Sequence, residues 1–404
     1  MNNINKSTKI DRYSYVICAC AFITYFVADY AGYQIPPLSH LVMPALDIDN
    51  INFSRLFSAY MLPGALFCLV AGLLCDKYGT KKCIGVSIII SSIAAVLRVF
   101  ASTFISFFFC MMLIGVMLFF ISTNVTKIIA HWVPPNKISV FVGITIAGGP
   151  LGMTVAMSTS AFFETLRPAL VTSAAFCVVV VFLWFIFMKD KPKESEHTYH
   201  YIDNAPQTPL VEGLKVVLRN KSMWVIGICL GFVLAPAVCM TTFMPRALQL
   251  EHGMDAVTAG AMTSIIMLGN IVGSICGPII CMLIGRMKPY IFCSSIIGAL
   301  GVAFSWILPN KALIGAGLFI AGFVIAALLA QLLSMPVLFK EIGPALGGTA
   351  VGFISTIRSS FAVVIPSYII APITGDNYFL LFLIAGGLLI LCALLSLKLP
   401  KIKY

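Results

Sequence analysis

The stretch Gly72-Leu73-Leu74-Cys75-Asp76-Lys77-Tyr78-Gly79-Thr80-Lys81-Lys82 decides how the chain is read. Apolar runs flank it, at roughly 53–75 and 83–101, and each is close to the ~20 residues that cross a bilayer. Its two glycines let helices and a tight turn approach closely. Its aspartate, at a helix end, can pair with a neighbouring basic residue or a helix N-terminus. Its lysines mark one side of a membrane, because basic residues collect in cytoplasmic loops.

The same reading extends in both directions. Twelve apolar runs are expected, at about 13–35, 53–75, 83–101, 105–127, 138–162, 168–188, 223–245, 256–284, 289–308, 312–338, 347–371 and 376–398. Strand-period alternation is absent, and backbone groups in lipid must be satisfied within the segment, so every run is expected to be helical. The fold class is therefore an all-α membrane protein of twelve transmembrane helices in two pseudo-symmetric six-helix bundles. A polar stretch with Lys189, Lys191, Lys193, Glu194, Glu196, Pro206 and Pro209 divides them. The expected units are 1–188, a cytoplasmic linker 189–222, and 223–404, with a short surface helix within 211–221.

Composition agrees. Of 404 residues, 60% are hydrophobic and 10% charged, against about 25% charged in a soluble protein. One soluble core could not hide that much apolar surface. The net charge of +11 reads as topology rather than nucleic-acid binding. Of the 26 lysines and arginines, all but six fall on the side of the termini. Arg55, Arg167, Arg246 and Lys311 fall on the other side, and Arg98 and Arg358 lie within spans. A multi-pass protein of the cell (inner or plasma) membrane with both termini cytoplasmic follows. The first apolar run, after Lys6, Lys9 and Arg12, is too long for a signal peptide. The 13 cysteines form no CxxC pair and scatter through apolar runs, so they read as small buried hydrophobes. HExxH, GxSxG and P-loop patterns are absent, which argues against an enzyme and against a cofactor or metal.

The six-plus-six layout resembles the major facilitator superfamily. Its signature G-x-x-x-D-R/K-x-G-R/K-R/K is matched by Gly72, Asp76, Lys77, Gly79 and Lys81, with Thr80 departing. In that family this loop latches the two halves in one conformation. A degenerate echo, Gly277-Pro278 then Gly285-Arg286-Met287-Lys288, follows the eighth span. The resemblance implies alternating access to a site between the halves. Gly352-Phe353-Ile354-Ser355-Thr356-Ile357-Arg358 is similar to the eleventh span of oxalate–formate antiporters, where a substrate-binding lysine stands six residues after a Gly-Phe. The second basic residue of that family, in the eighth span, is missing here. A single cation suits a monovalent anion better than a dicarboxylate.

Intramembrane charges need a partner or a purpose. Arg358 flanks the small residues Gly348, Gly352, Ser355 and Ser359 and can hold a carboxylate bidentately. Asp29 shares a helical face with Tyr25 and Tyr33. It reads as a proton carrier, as a counter-ion to Arg358 or Arg98, or as a solvated carboxylate near the outer mouth. Arg98, late in the third span, either snorkels to headgroups or binds anion, since an arginine there resembles the cyanate-type transporters. Asn124 and Gln331 are further polar candidates, with interhelical bonding as the plainer alternative. Gly148-Gly149-Pro150-Leu151-Gly152 partly resembles the antiporter signature G-P-x-x-G-G. It reads either as a kinkable surface that seals one half on the other or as ordinary close packing.

The expected function is secondary transport of a small organic or inorganic anion, driven by protons or a counter-anion. The partners are then a small anionic substrate, protons or a counter-anion, and the bilayer, with no nucleic acid. A monomer is expected, because one chain holds both halves. The competing expectation is a proton-coupled drug or metabolite exporter that uses Asp29.

Overall fold

The computed structural model describes residues 12–133, 138–189, 210–339 and 343–399. Among these the chain is helical, with no strand. The first half holds α1 (Arg12–Tyr33), α2 (Ser39–Leu46), α3 (Asn50–Ala59), α4 (Leu62–Tyr78), α5 (Thr80–Arg98), α6 (Phe104–Ala130), α7 (Ile138–Ile146), α8 (Gly148–Thr159) and α9 (Leu166–Phe187). A short α10 (Leu210–Arg219) leads into the second half. There follow α11 (Lys221–His252), α12 (Ala256–Ile284), α13 (Met287–Phe304), α14 (Lys311–Ser334), α15 (Gly343–Val364), α16 (Ala371–Thr374) and α17 (Tyr378–Ser396). Most of the expected linker lies outside the described residues.

Eleven of the described helical segments are long and apolar enough to cross a membrane. The expected span 53–75 departs from this pattern. It is built from α3 and α4, which are separated at Tyr60 and Met61. Pro63 sits in the first turn of α4 and has no N–H to continue the ladder from α3. Gly115 of α6 accommodates the break: a Cβ there would lie 2.0 Å from the Tyr60 carbonyl oxygen. The expected loop after α4 shrinks to one residue. Gly79 turns the chain at φ 88° and ψ 144°, a region essentially restricted to glycine, and α5 starts at Thr80.

Side-chain caps fix five helix starts at the end of the bundle away from the termini. Asp49, Asp255, Asn310 and Asn377 each accept a backbone N–H of the first turn, and Thr103 and Ser106 form a reciprocal capping box. Each cap contributes about 1 kcal/mol. The buried apolar residues fall into two clusters, one per half. Val238, Ala362 and Val363 of the second half belong to the first cluster, and Met153 of the first half packs on the second. The halves therefore touch near their middle. Outward-facing residues such as Phe100, Phe182, Ile275 and Leu283 are exposed and apolar, as lipid contact requires.

Candidate functional site

Asp29 lies on α1 with Tyr25 and Tyr33 one turn to either side, and all three are buried. The expectation of a solvated carboxylate is thus overturned. Tyr60, at the break between α3 and α4, meets it. The Tyr60 hydroxyl lies 2.8 Å from the Ala28 carbonyl oxygen and 3.1 Å from Asp29 Oδ1. Its ring fills the space above Gly32, where a Cβ would come within 2.6 Å. Tyr33 stands edge-on to Tyr60 and to Phe57. On the other side, a Cβ on Gly149 would lie 2.5 Å from Asp29 Oδ2. The carboxyl is enclosed by α1, the end of α3, and α8.

The glycines around Pro150 face α1 of their own half. Cβ atoms on Gly148 and Gly152 would meet the Phe22 and Phe26 carbonyl oxygens at 2.4 and 2.2 Å. They let α8 lie directly on α1 of the same half, so the close-packing reading holds. The helix also breaks between α7 and α8, as a Gly-Gly-Pro run favours.

Asp29 is not the counter-ion of Arg98 or Arg358 in this conformation; among the described residues its side-chain partner is Tyr60. Arg98 does not snorkel either, being fully buried. Its guanidinium donates to Ala31 O at 2.9 Å, Ser173 Oγ at 2.9 Å and Gln34 Oε1 at 3.2 Å. Gln34 in turn donates to Ala169 O. Ala31 of α1 and Gln34 just past its end do not share the face that carries Asp29, so the Arg98 guanidinium docks on α1 away from that carboxyl. Arg98 ties α1 to α5 and α9.

Arg358 is half-buried near the middle of α15. On one side of it Ile357 and Phe361 pack over Gly227 and Gly231 of α11. On the other, Ala362 and Val363 join the core of the first half. Arg358 lies in the angle between these two faces. Asn124 and Gln331 are fully buried, and Asn124 Nδ2 donates to its own helix at Phe120 O, 2.9 Å. The structure thus gathers Asp29, Tyr25 and Tyr33 into one cluster and keeps Arg98 outside it. At the signature turn, Lys77 lies over the Tyr78 ring, Gly79 makes the turn, and Lys81 O accepts from Trp184 Nε1 at 3.0 Å. The Asp76 side chain lies outside the described atoms.

A seam that the sequence reading missed joins the halves at the end away from the termini. Asn50, Ser54 and Ser58 stand one turn apart on α3. The Ser54 and Ser58 hydroxyls both meet the Ser367 hydroxyl, the former at 2.8 Å, and Ser367 also donates to Ser54 O at 3.0 Å. Asn50 Nδ2 donates to Asp376 Oδ1 and, at 3.1 Å, to the Tyr378 hydroxyl. Arg55 stacks on Tyr368. Ser367 sits in a π-helical turn, Ile365–Ile370, a distortion that recurs at functional sites. Nearby, Gly260 of α12 packs on the Met157 carbonyl of α8. The readable signal was the i, i+4, i+8 polar row on α3.

The model of the Major Facilitator Superfamily matches residues 17–366. The chain belongs to that superfamily. It is 22% identical over 244 residues to the hexuronate transporter of Bacillus subtilis (strain 168), covering 57% of this chain and 56% of that protein. It is 24% identical over 281 residues to a probable sulfoacetate transporter of Cupriavidus necator, covering 66% and 64%. The chain thus matches somewhat less than two thirds of either relative's length. Among solved structures it superposes on the nucleoside transporter NupG with a TM-score of 0.76 at 14% identity, covering 96% of this chain and all of that one. An inward-facing, unoccupied bacterial homologue of the lysosomal transporter Spinster gives 0.75 at 14% identity, covering 96% and 99%. The protein is a multi-pass membrane protein with the major facilitator fold, and the two curated relatives are named as transporters. These relatives do not extend the resemblance to oxalate–formate or cyanate carriers.

Proposed function

We propose that this protein is a secondary active transporter of a small organic anion, with Arg358 as the substrate's anchor. The observation that carries this is the position of Arg358 between the face of α15 that packs on α11 and the face that meets the other half. A guanidinium there grips a carboxylate or sulfonate with paired donors. The names of the two curated relatives are those of organic-acid transporters, which supports an anion. Asn124 and Gln331 supply neutral hydrogen bonds once the helices part. Asp29, with Tyr25 and Tyr33, carries the coupling proton, or a counter-anion drives exchange. Arg98 is structural. With the termini cytoplasmic in the cell membrane, the closed seam lies at the outer end of the bundle. The turn of Gly72, Asp76, Lys77, Gly79 and Lys81 is the latch at the opposite end.

The test is the thermal stability of detergent-purified protein against monocarboxylates, dicarboxylates, sulfonates, inorganic anions and lipophilic cations. A ligand at about 100 times its Kd adds ~2.7 kcal/mol if it binds only the folded state. Stabilisation by one anion class, lost in Arg358→Gln, is the expected result. Undiminished binding and transport in Arg358→Gln would overturn the assignment. A second reading, a proton-coupled exporter, draws on the buried Asp29 carboxyl and on Arg98 being held by internal partners. That leaves one charge of each sign for the transport site. Stabilisation by lipophilic cations alone would favour it.

A further inference from the structure

The hydrogen count at Tyr60 is informative. One phenolic hydrogen faces two acceptors, Ala28 O at 2.8 Å and Asp29 Oδ1 at 3.1 Å. If Asp29 is ionised, one of these contacts has no hydrogen of its own. If Asp29 is protonated, its O–H donates to Tyr60 Oη and Tyr60 donates to Ala28 O, so each contact has one. Tyrosine oxygens accept as well as donate, which permits this chain. The groups facing the carboxyl from the surrounding elements are Tyr25 and Tyr33 of α1, Tyr60, and the bare backbone of Gly149 on α8. Cys177 of α9 stands beyond Tyr60, and so does the Arg98 guanidinium of α5, whose charge is felt at Tyr60 and Cys177. None of the groups touching the carboxyl brings a positive charge. The closed seam therefore accommodates the neutral acid better.

Tyr60 is also the last residue of a separate piece. It caps α3, and the chain breaks before α4, so α3 is a lever of 10 residues rather than part of a continuous span. One end and one flank of this lever are engaged. Its flank carries Asn50, Ser54 and Ser58 onto Tyr378, Asp376 and Ser367 of the other half. Its end carries Tyr60 onto Asp29. We propose that α3 is the gate of this transporter and Tyr60 the positioning residue that ties its closed state to a proton on Asp29. This rests on the alternating-access reading above and adds which element moves and what holds it. Proton arrival at Asp29 completes the Tyr60 bridge and favours the closed seam. Proton loss leaves the bridge one hydrogen short and frees α3 to leave Ser367.

The test is a double-mutant cycle read at the seam. Ser367→Cys is the reporter, and Lys311→Cys, exposed at the same end of the bundle, is the reference. Both are labelled with a maleimide in nanodiscs, and labelling is read residue by residue so that native thiols do not interfere. Asp29→Asn always offers an N–H to Tyr60 Oη and mimics the protonated acid. It should lower the labelling of residue 367 relative to residue 311 about fivefold, the worth of one net hydrogen bond. In the Tyr60→Phe background the same substitution should change nothing. Equal labelling of the Asp29 protein and of Asp29→Asn while Tyr60 is intact, or a decrease that survives in Tyr60→Phe, overturns the proposal. A purely structural Tyr60 would lower stability without abolishing the effect of Asp29→Asn. If Tyr60→Phe does not fold, acidification decides instead. The 367-to-311 labelling ratio must then fall in the Asp29 protein and stay flat in Asp29→Asn, and any other pattern overturns the proposal. Arg358→Gln run in parallel keeps the two claims apart. Binding that survives Arg358→Gln refutes the anion site and leaves the gate standing, whereas an absent labelling difference with Arg358-dependent binding intact refutes only the gate.

Discussion

Arg98 supplies a prediction that reverses the usual meaning of a conservative substitution. The guanidinium is fully buried and spans Ala31 O, Gln34 Oε1 and Ser173 Oγ with separate N–H groups. Arg98→Lys retains a buried charge, with a desolvation cost of several kcal/mol, on an ammonium that lacks the planar fork. Hydrogen bonds to charged groups contribute about 1.5–3 kcal/mol each, so losing one or two destabilises by ~2–5 kcal/mol. Arg98→Met fills similar space and removes the charge. It strands Ala31 O and Gln34 Oε1 at roughly 1–3 kcal/mol apiece, but the relief of desolvation offsets much of this. Ser173 keeps its bond to Leu170 O. The methionine variant should therefore be the more stable of the two, and both should bind substrate normally per folded molecule. Melting curves in detergent with and without ligand read both quantities. Loss of ligand binding in an Arg98→Met protein that melts like the parent would refute the structural role and return Arg98 to the substrate site.

Four further outcomes are expected. Gly152→Ala should lower the melting temperature, because its Cβ would be 2.2 Å from the Phe26 backbone oxygen and overpacking of this kind costs about 1–3 kcal/mol; unchanged melting would show that α1 and α8 separate easily. Gly79→Ala should destabilise by ~1–3 kcal/mol, since the turn holds φ 88° and ψ 144°. Ser54→Cys with Ser367→Cys, whose parent hydroxyl oxygens are 2.8 Å apart, should form a disulfide that arrests transport until reduced; full flux in the cross-linked protein would show that the seam need not open. Asp255, exposed at the head of α12, has its carboxyl held below the usual range, first by the Thr258 hydroxyl and then by the Thr258 amide. A depressed folded pKa contributes stability above the unfolded value of about 3.9 and loses it as pH falls through the folded value, so acid titration of stability should lose this component in Asp255→Asn.

The spans were legible because lipid leaves the backbone one solution, and roughly twenty apolar residues in a row state it without reference to neighbours. What escaped the one-dimensional reading depends on contacts between distant segments. Pro63 marks a bend, but that the helix truly parts at Tyr60 requires the hole above Gly115 on α6. Ser54, Ser58 and Ser367 are ordinary span residues until 313 positions of sequence separation close into 2.8 Å. Charge was read more surely than partnership. Asp29 and Arg98 each stood out as intramembrane ions, and opposite signs invited a pair. Yet the residues that satisfy them, Tyr60 for the one and Ala31, Gln34 and Ser173 for the other, are all uncharged. Neutral partners hold buried ions in place without cancelling their charge. A carboxyl bridged only by a tyrosine can still take up and release a proton, whereas an arginine fixed to four separate acceptors, Met111 Sδ among them, cannot move far without breaking the bundle around it. That difference in partners, more than the depth of either charge, supports the proposal that Asp29 is the moving part and Arg98 the scaffold.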